Sequence, residues 1–481
     1  MNAVEHLLGA KALEQHGTRV ALICGSEALS YRELAAQAAR AANALRAHGV
    51  QQGDRVMLLM RDSPQFAAAW LGILHAGAVA VALNTRLSEA EYAHIRADSG
   101  ARLTITDDLA SWRDACQSAS AEAAPVAVRG DDPAFWLYSS GTTGQPKGIV
   151  HAHRAVLHAG QAQREVIGLA PSERALTTSK LFFAYALEHG LLGPLATGAT
   201  TLLDPEWPEA EPVLERVARE QPAAFFSVPT FYRRLLALGA GRLVPFQRVR
   251  RFVAAGERLP VPVLEAWRAA TGGEILSLYG MSETFCACIV TPPGTSDGVR
   301  TGLPLSGVGT RLATTEGREV AAGEPGILWI RHPALALGYA NLPDRTAAQF
   351  RGGWFCSQDF FVRDGEGFFV HQGRSDELVK IAGQWVQPSE IEEAVAQLVA
   401  EAACVPVADH DRFERLALFI APRGDDDAAV AAAAKACEQK LPPHKRPKWI
   451  VPVRELPRTP TGKVQRFKLR EQLEQDLDKK S

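Results

Sequence analysis

Regular alternation between helical and strand periodicity sets the limits on what this chain can become. From "YRELAAQAARAANALRAHGV" to "GDRVMLLM", apolar positions at 3.6 spacing give way, after Gly53-Asp54, to a short apolar run. The pattern recurs in "QFAAAWLGILHAGAVAVALN" and then "ARLTITD", and a later helical segment leads into "AAFFSVP". Repetition of this kind predicts an α/β fold, with parallel and mixed sheets covered by helices. At 481 residues the chain exceeds one ordinary core, so a second domain is expected. The composition shifts after the Phe- and Val-rich hairpin that ends at Gly373, and a unit of about a hundred residues follows. We therefore expect an N-terminal domain over 1–375, a hinge at Asp376 and a small domain over 376–481. Within the latter, "DDDAAVAAAAKAC" reads as a surface helix with an acidic first turn.

Charge and cysteine usage remove several classes of function. Lys+Arg number 52 against Asp+Glu 54, a net charge of -2, which provides no footprint for nucleic acid or an anionic membrane. Small-molecule partners fit better. The seven cysteines are scattered without a C-x-x-C pair, and Cys286 and Cys288 on a strand would share a face without caging a metal. A reduced, cytoplasmic compartment is the expectation. The opening "MNAVEHLLGAKALEQHGTRV" lacks the apolar core of a signal peptide, and no run reaches the roughly 18 apolar residues that span a bilayer.

Chemistry concentrates first in "YSSGTTGQPKG", Tyr138 to Gly148. A Walker A loop requires Ser or Thr after its lysine, and here Gly148 follows Lys147. The composition nevertheless suits a polyphosphate: glycines let backbone N–H groups approach an anion, hydroxyls donate to its oxygens, and a lysine neutralises charge. A flexible linker would have the same polarity, but this stretch follows the apolar "AFWLY" and precedes the helical pattern "HRAVLHAGQAQ".

"YSSGTTGQPKG" resembles the signature loop of the acyl-adenylate-forming (AMP-binding) superfamily, which includes acyl-CoA synthetases, peptide-synthetase adenylation domains and luciferases. Four further stretches agree in order. "AAGERLP" resembles the adenine-side segment, and "SLYGMSET" the Tyr-Gly-x-Thr-Glu segment. "GWFCSQDFFVRDGEGFFVHQGRSDELVKIAGQ" resembles the ribose and hinge region, and "PRTPTGKVQR" the loop of the catalytic lysine. The match runs from about residue 30 to 470, and it implies a small, mobile α+β C-terminal domain.

The resemblance also assigns roles. Ser139, Ser140, Gly141, Thr142, Thr143, Gly144 and Lys147 would hold the phosphates of ATP. Glu283, beside Ser282, would help hold Mg²⁺, a hard cation that needs only one or two carboxylates. Tyr279 and Gly280 on one side, with Gly256 and Glu257 opposite, would flank the adenine. Asp359 would accept from both ribose hydroxyls, and Arg374 would reach ribose or phosphate. The family commonly has Thr-Gly-Asp where this chain reads Ser357-Gln358-Asp359. Lys463 would bridge the substrate carboxylate and the α-phosphate, offsetting repulsion that grows toward the transition state. Gly383 would let a pantetheine arm pass close to the backbone, the arm belonging to coenzyme A or to a carrier protein.

The acid itself is most legible in "TTSKLFFAYALEHG", residues 177 to 190. "KLFFAY" is similar to the acyl-pocket segment of benzoate-CoA ligases, as is "KIAGQWVQPSEIE" in the small domain. Phe183, Ala184 and Tyr185 would surround a flat ring, with Ala255, Gly256, Met281 and Phe285 closing the far end. The same "LFFAYAL" also reads as an ordinary buried helix start. Where benzoate enzymes continue with Gly and Asn, this chain reads Leu187-Glu188-His189-Gly190, so His189 or Lys180 would meet a ring hydroxyl or the carboxylate. "HAHR" and the basic run "HKRPK" are candidates for the phosphates of coenzyme A, although "HKRPK" is also a plausible solvated turn. The implied enzyme is a cytoplasmic acid-thiol ligase, monomeric or homodimeric, that turns a benzoate- or hydroxybenzoate-like acid into acyl-AMP and then a thioester. Carrier-protein loading and medium-chain fatty acyl activation stay open. A silent nucleotide-binding module is opposed by the presence of both Glu283 and Lys463.

Overall fold

The helix expected from "YRELAAQAARAANALRA" forms over Tyr31–Ala47. Ser30 and Glu33 close a capping box at its start, satisfying N–H groups that a first helical turn leaves without intrahelical partners. Its buried side, Leu34, Ala38, Ala41, Ala42 and Leu45, packs on the helix Pro64–His75. Gly72 permits the close approach, because a Cβ there would stand 2.5 Å from the Ala41 Cβ.

The computed structural model describes residues 1–481 except 141–145, 322, 376–378, 382–383, 410–412, 459–463, 479–481 and the side chains of Ser140, Lys380 and Trp385. Two compact units are present. The first comprises 1–324, 328–357 and 362–371, and the second comprises 325–327, 358–361 and 372–481. The second unit thus takes Gln358–Phe361 out of a strand that the sequence reading assigned wholly to the first domain.

In the first unit a nine-stranded sheet runs in the order Leu303–Pro304, Ile289–Val290, Ile275–Tyr279, Arg251–Ala254, Ala224–Ser227, Arg174–Thr177, Thr200–Leu203, Val20–Cys24, Glu27–Ser30. The six strands from Ile275–Tyr279 to Val20–Cys24 are parallel, and the edges are antiparallel. Such strands are covered on both faces, which is why "AAFFSVP" reads as a continuous apolar run: Ala224, Phe225, Phe226 and Ser227 are all buried. A six-stranded sheet runs Gly338–Tyr339, Pro146–Ala152, Pro133–Ser140, Val79–Ala82, Arg55–Leu59, Leu103–Thr106. "AFWLY" lies in Pro133–Ser140 as expected. The helix His153–His158 does not follow the glycine-rich stretch directly, because the strand Pro146–Ala152 intervenes and returns antiparallel along Pro133–Ser140.

The second unit is α+β. Glu401–Ala408 and Glu414–Ala421 pair antiparallel over eight residues each, and Trp449–Pro452 joins in parallel. The helices Pro388–Val395 and Asp426–Lys440 bury Ile391, Val395, Ala433 and Cys437 with Leu418 and Ile420, while Leu469 and Leu473 of Arg466–Asp478 pack with Val405 and Phe419. Asp425 caps the Asp426–Lys440 helix, the surface helix that "DDDAAVAAAAKAC" predicted. Among the described residues no helix is long and apolar enough to cross a membrane.

Candidate active site

Four neighbouring parallel strands of the large sheet end at the segments singled out in the sequence. Arg174–Thr177 runs out toward Lys180 and Tyr185, and Ala224–Ser227 toward Val228. Arg251–Ala254 ends at Ala255, Gly256 and Glu257, and Ile275–Tyr279 at Gly280 through Glu283. In open α/β sheets the carboxyl ends of parallel strands are where ligands bind, since loops there are free to vary while the strands fix their roots. Tyr279 and Gly256 therefore stand at the ends of adjacent strands, Gly256 and Gly280 exposed and Tyr279 half-buried. Glu257 is exposed and accepts from the Thr230 hydroxyl at 2.7 Å.

The glycine-rich hairpin meets this edge through one ion pair. Ser140 lies opposite Pro146 and Ser139 opposite Lys147. Gly148 faces Tyr138, and a Cβ on it would come within 3.1 Å of the Trp136 ring, so a side chain after the lysine would press on the Trp136 and Tyr138 rings. Lys147 Nζ reaches Glu283 Oε1 at 3.0 Å, with both side chains nearly buried. The Tyr339 hydroxyl donates to the same oxygen at 2.8 Å and also contacts Gln349, and the Lys147 ammonium stands 4.2 Å from the centre of the Tyr339 ring. Two of the residues expected to act together are thus in contact. Tyr339 was not foreseen: its pairing is 56 residues distant in sequence, and no local periodicity carries such a contact. The Met281 carbonyl accepts from the N–H groups of Thr284 and Phe285, making a tight turn under Glu283, and Ser282 is half-buried within it. Phe285 has a left-handed backbone, φ +59°, uncommon for a bulky residue and typical of turns held in place by their surroundings. Its ring is 2% exposed, against Phe135 at 4.8 Å and His151 at 5.6 Å, so Phe285 is an anchor in the core, not an open pocket wall.

The aromatic row is half-buried at Phe183, Ala184 and Tyr185, at the start of the helix Ala184–Leu187. The Tyr185 hydroxyl donates to the carbonyls of Val253, at 3.1 Å, and Ser227, at 3.3 Å, which ties the ring to two strands. His189 does not present itself to a ligand. It is fully buried, stacked on Phe226 at 5.1 Å, edge-on to Tyr185 at 5.1 Å, and 2.7 Å from the Gln163 amide. Burial pushes its imidazole down to about 3.

Lys180 is committed elsewhere as well. Its ammonium donates to the carbonyls of Asp204, at 2.6 Å, and Glu206, and stands 3.8 Å from Asp62. Burial drives the Asp62 carboxyl up to about 7 despite that ammonium and the Leu181 N–H. The expectation that Lys180 meets substrate is therefore replaced by a structural role, one visible only when residues 118 positions apart are folded together. Removing one partner of a buried pair is strongly destabilising. Lys180→Met should lower stability by about 3 kcal/mol in urea unfolding, and the loss should shrink when Asp62 is also made Asn.

The basic stretches are likewise occupied. His151 is fully buried and stacked on Phe135 at 4.7 Å, His153 accepts from the Ala3 N–H, and Arg154 pairs with Asp131 and donates to the Leu335 carbonyl. In "HKRPK", Lys445 pairs with Glu390, Arg446 donates to the Leu441 and Glu438 carbonyls, and Lys448 pairs with Asp409. Both stretches fasten the chain to itself. Cys286 and Cys288 are buried free thiols in the irregular segment before Ile289–Val290, and no metal-holding group of His, Cys, Asp or Glu occurs among the described residues. In the second unit Asp359 is 6% exposed with Arg374 Nη1 at 3.4 Å from its Oδ1. Gly141, Thr142, Thr143, Gly144, Asp376, Gly383 and Lys463 lie outside the described residues.

A parallel α/β protein with a lysine–glutamate pair and an aromatic row at neighbouring strand ends is built like an enzyme that binds a polyphosphate beside an apolar ligand. The chain belongs to the AMP-binding enzyme family: that family's model matches residues 10–340, and the AMP-binding enzyme C-terminal domain matches 390–463. It is 38% identical to a 3-hydroxybenzoate–CoA/4-hydroxybenzoate–CoA ligase of Thauera aromatica, over 99% of this chain and 98% of that protein. Among solved structures it is similar to the anthranilate CoA ligase AuaEII in complex with anthranoyl-AMP, with TM-score 0.91, 32% identity, and coverage of 99% and 98%. A benzoate CoA ligase from Burkholderia xenovorans LB400 aligns with TM-score 0.88, 33% identity, and coverage of 98% and 100%.

Proposed function

We propose that this protein is an acid-thiol ligase that activates an aromatic carboxylic acid, benzoate- or hydroxybenzoate-like, with ATP and passes it to coenzyme A. In the first half-reaction a carboxylate oxygen attacks the α-phosphorus of ATP, the bond to pyrophosphate breaks, and acyl-AMP forms. In the second a thiol sulfur attacks the acyl carbon and AMP leaves. Lys147 and the hairpin hydroxyls hold the phosphates, Tyr279 and Gly256 flank the adenine, Asp359 and Arg374 take the ribose, and Lys463 bridges carboxylate and phosphate. Glu283 would be the carboxylate that helps hold Mg²⁺, a hard cation, with the Lys147 ammonium and the Tyr339 hydroxyl orienting it through Oε1. When bound, the ion neutralises charge on the transferring phosphate. We place the enzyme in the cytoplasm, with the 376–481 domain presenting Lys463 for adenylation and Gly383 for thioester formation about a hinge at Asp376.

The observation that carries the aromatic assignment is the half-buried row Phe183, Ala184 and Tyr185, its tyrosine ring held in place by two strand carbonyls. A fixed flat wall rewards a rigid planar ligand, which loses little ordering entropy on binding. The test is kcat/KM for benzoate, 3-hydroxybenzoate, 4-hydroxybenzoate and octanoate with coenzyme A as acceptor. Aromatic acids should exceed octanoate by roughly a hundredfold, and Ala184→Phe should remove that advantage by filling the slot while the KM for ATP holds. Preference for octanoate in the wild type moves the protein to the fatty acyl-CoA synthetases. Absence of a CoA thioester beside normal pyrophosphate exchange moves it to carrier-protein loading.

A further inference from the structure

Behind the aromatic row lies a polar group of residues with no part in the chemistry so far. Glu188 is 1% exposed, and its Oε2 accepts from the Ala287 N–H at 3.0 Å. His189 Nε2 stands 3.2 Å from the same oxygen, and Nδ1 lies 2.7 Å from the amide of the fully buried Gln163. With the Gln163 N–H donated to Nδ1, the ring proton sits on Nε2, close to Glu188 Oε2 but outside hydrogen-bond geometry. Glu188 Oε1 is buried, and the donors beside the carboxyl are the Ala287 N–H and the Cys286 thiol, a setting that compensates a negative charge poorly. The His189 ring is clamped between Phe226 and Tyr185.

We propose that Glu188 and His189 are positioning residues for acid specificity: a buried pair that fixes the Tyr185 ring from behind and ties it, through the Ala287 N–H, to the segment that carries Glu283. This rests on the reading of Tyr185 as a pocket wall.

The protonation state follows from the surroundings. The titratable groups facing the Glu188 carboxyl are His189 beside it, Tyr185 one turn earlier, and Cys286 and Cys288 on the opposing segment. Burial holds the imidazole far below its usual range and pushes the phenol and both thiols up, so all four are neutral at pH 7. Burial also raises the Glu188 carboxyl to about 8, against the opposing Ala287 N–H and Cys286 thiol. A group with a raised carboxyl pKa favours the fold most below its unfolded value, and that contribution declines as pH rises to about 8. Ionisation above that point places an uncompensated charge behind Tyr185.

The experiment measures acid-dependent ATP–pyrophosphate exchange in wild type, Glu188→Gln, Glu188→Ala and His189→Asn, reading KM for the preferred acid and for ATP from pH 6 to 9.5. Glu188→Gln keeps the acceptor for Ala287 without an ionisable group. It should retain the wild-type acid KM at neutral pH and lose the rise in acid KM that wild type shows above about 8. Glu188→Ala and His189→Asn should raise the acid KM by roughly tenfold or more with the ATP KM within about twofold, and reorder the acid panel. A protonated-carboxyl C=O band in the infrared spectrum, absent from Glu188→Gln, reads the same state without activity. An alkaline rise that survives in Glu188→Gln, a missing band, or equal movement of both KM values would overturn the proposal. Because the panel is run first on wild type, a preference for octanoate defeats the aromatic reading separately and leaves the pair to be judged with the acid preferred.

Discussion

Lys463→Ala should lower acid-dependent pyrophosphate exchange by roughly 10²–10³-fold, while thioester formation from supplied acyl-adenylate should stay near wild type. The reasoning is electrostatic. A carboxylate approaching the α-phosphate brings two anions together, and the repulsion peaks as the new bond forms, so an ammonium bridging both stabilises the transition state more than the ground state. Once acyl-AMP exists, the thiol attacks a neutral acyl carbon and that ammonium has no comparable task. Half-reactions measured separately on purified Lys463→Ala decide the matter: equal loss in both would reject the bridging role.

Glu283→Gln should raise the Mg²⁺ concentration needed for half-maximal exchange by roughly tenfold or more, since one ligand loses its charge. The amide oxygen can still accept from Tyr339, so the turn from Met281 to Phe285 should keep its form and the acid should bind as before. Lys147 loses its ionic partner at 3.0 Å and gains freedom toward phosphate, which limits the fall in ATP affinity. Calorimetry with the aromatic acid alone separates the roles, and a loss of acid affinity as large as the metal effect would place Glu283 at the ring instead.

Much of this architecture was legible because it is local. The 3.6-spaced apolar positions of Tyr31–Ala47 and the apolar run at Ala224–Ser227 are each short-range signals of an α/β alternation. The ordered motifs likewise named Lys147 and Glu283, which the fold brings into contact. What escaped is long-range. Lys180 reads as a substrate cation until Asp62 and the carbonyls of Asp204 and Glu206 surround it. His189 reads as a hydroxyl partner until Phe226, Gln163 and Tyr185 close over it. The basic residues of "HAHR" and "HKRPK" read as phosphate ligands until their own carboxylates and carbonyls engage them. In each case residue type was informative about chemistry and silent about which partner arrives first in space. The strand Pro146–Ala152 was hidden for another reason: its "PKGIVHA" is brief and sits between two louder signals, a glycine-rich loop and a helix.

The pairing of Pro133–Ser140 with Pro146–Ala152 makes the aim of Lys147 a matter of register. Side chains alternate between faces along a strand, so a one-residue slip turns every one of them over. Point substitutions in either strand would leave Lys147 directed at Glu283, but a single deletion between Gly148 and Ala152 would force the ladder to choose between its hydrophobic contacts and its lysine. A change of length within either of these two strands is therefore costlier to the aim of Lys147 than an exchange of a neighbouring side chain at unchanged register.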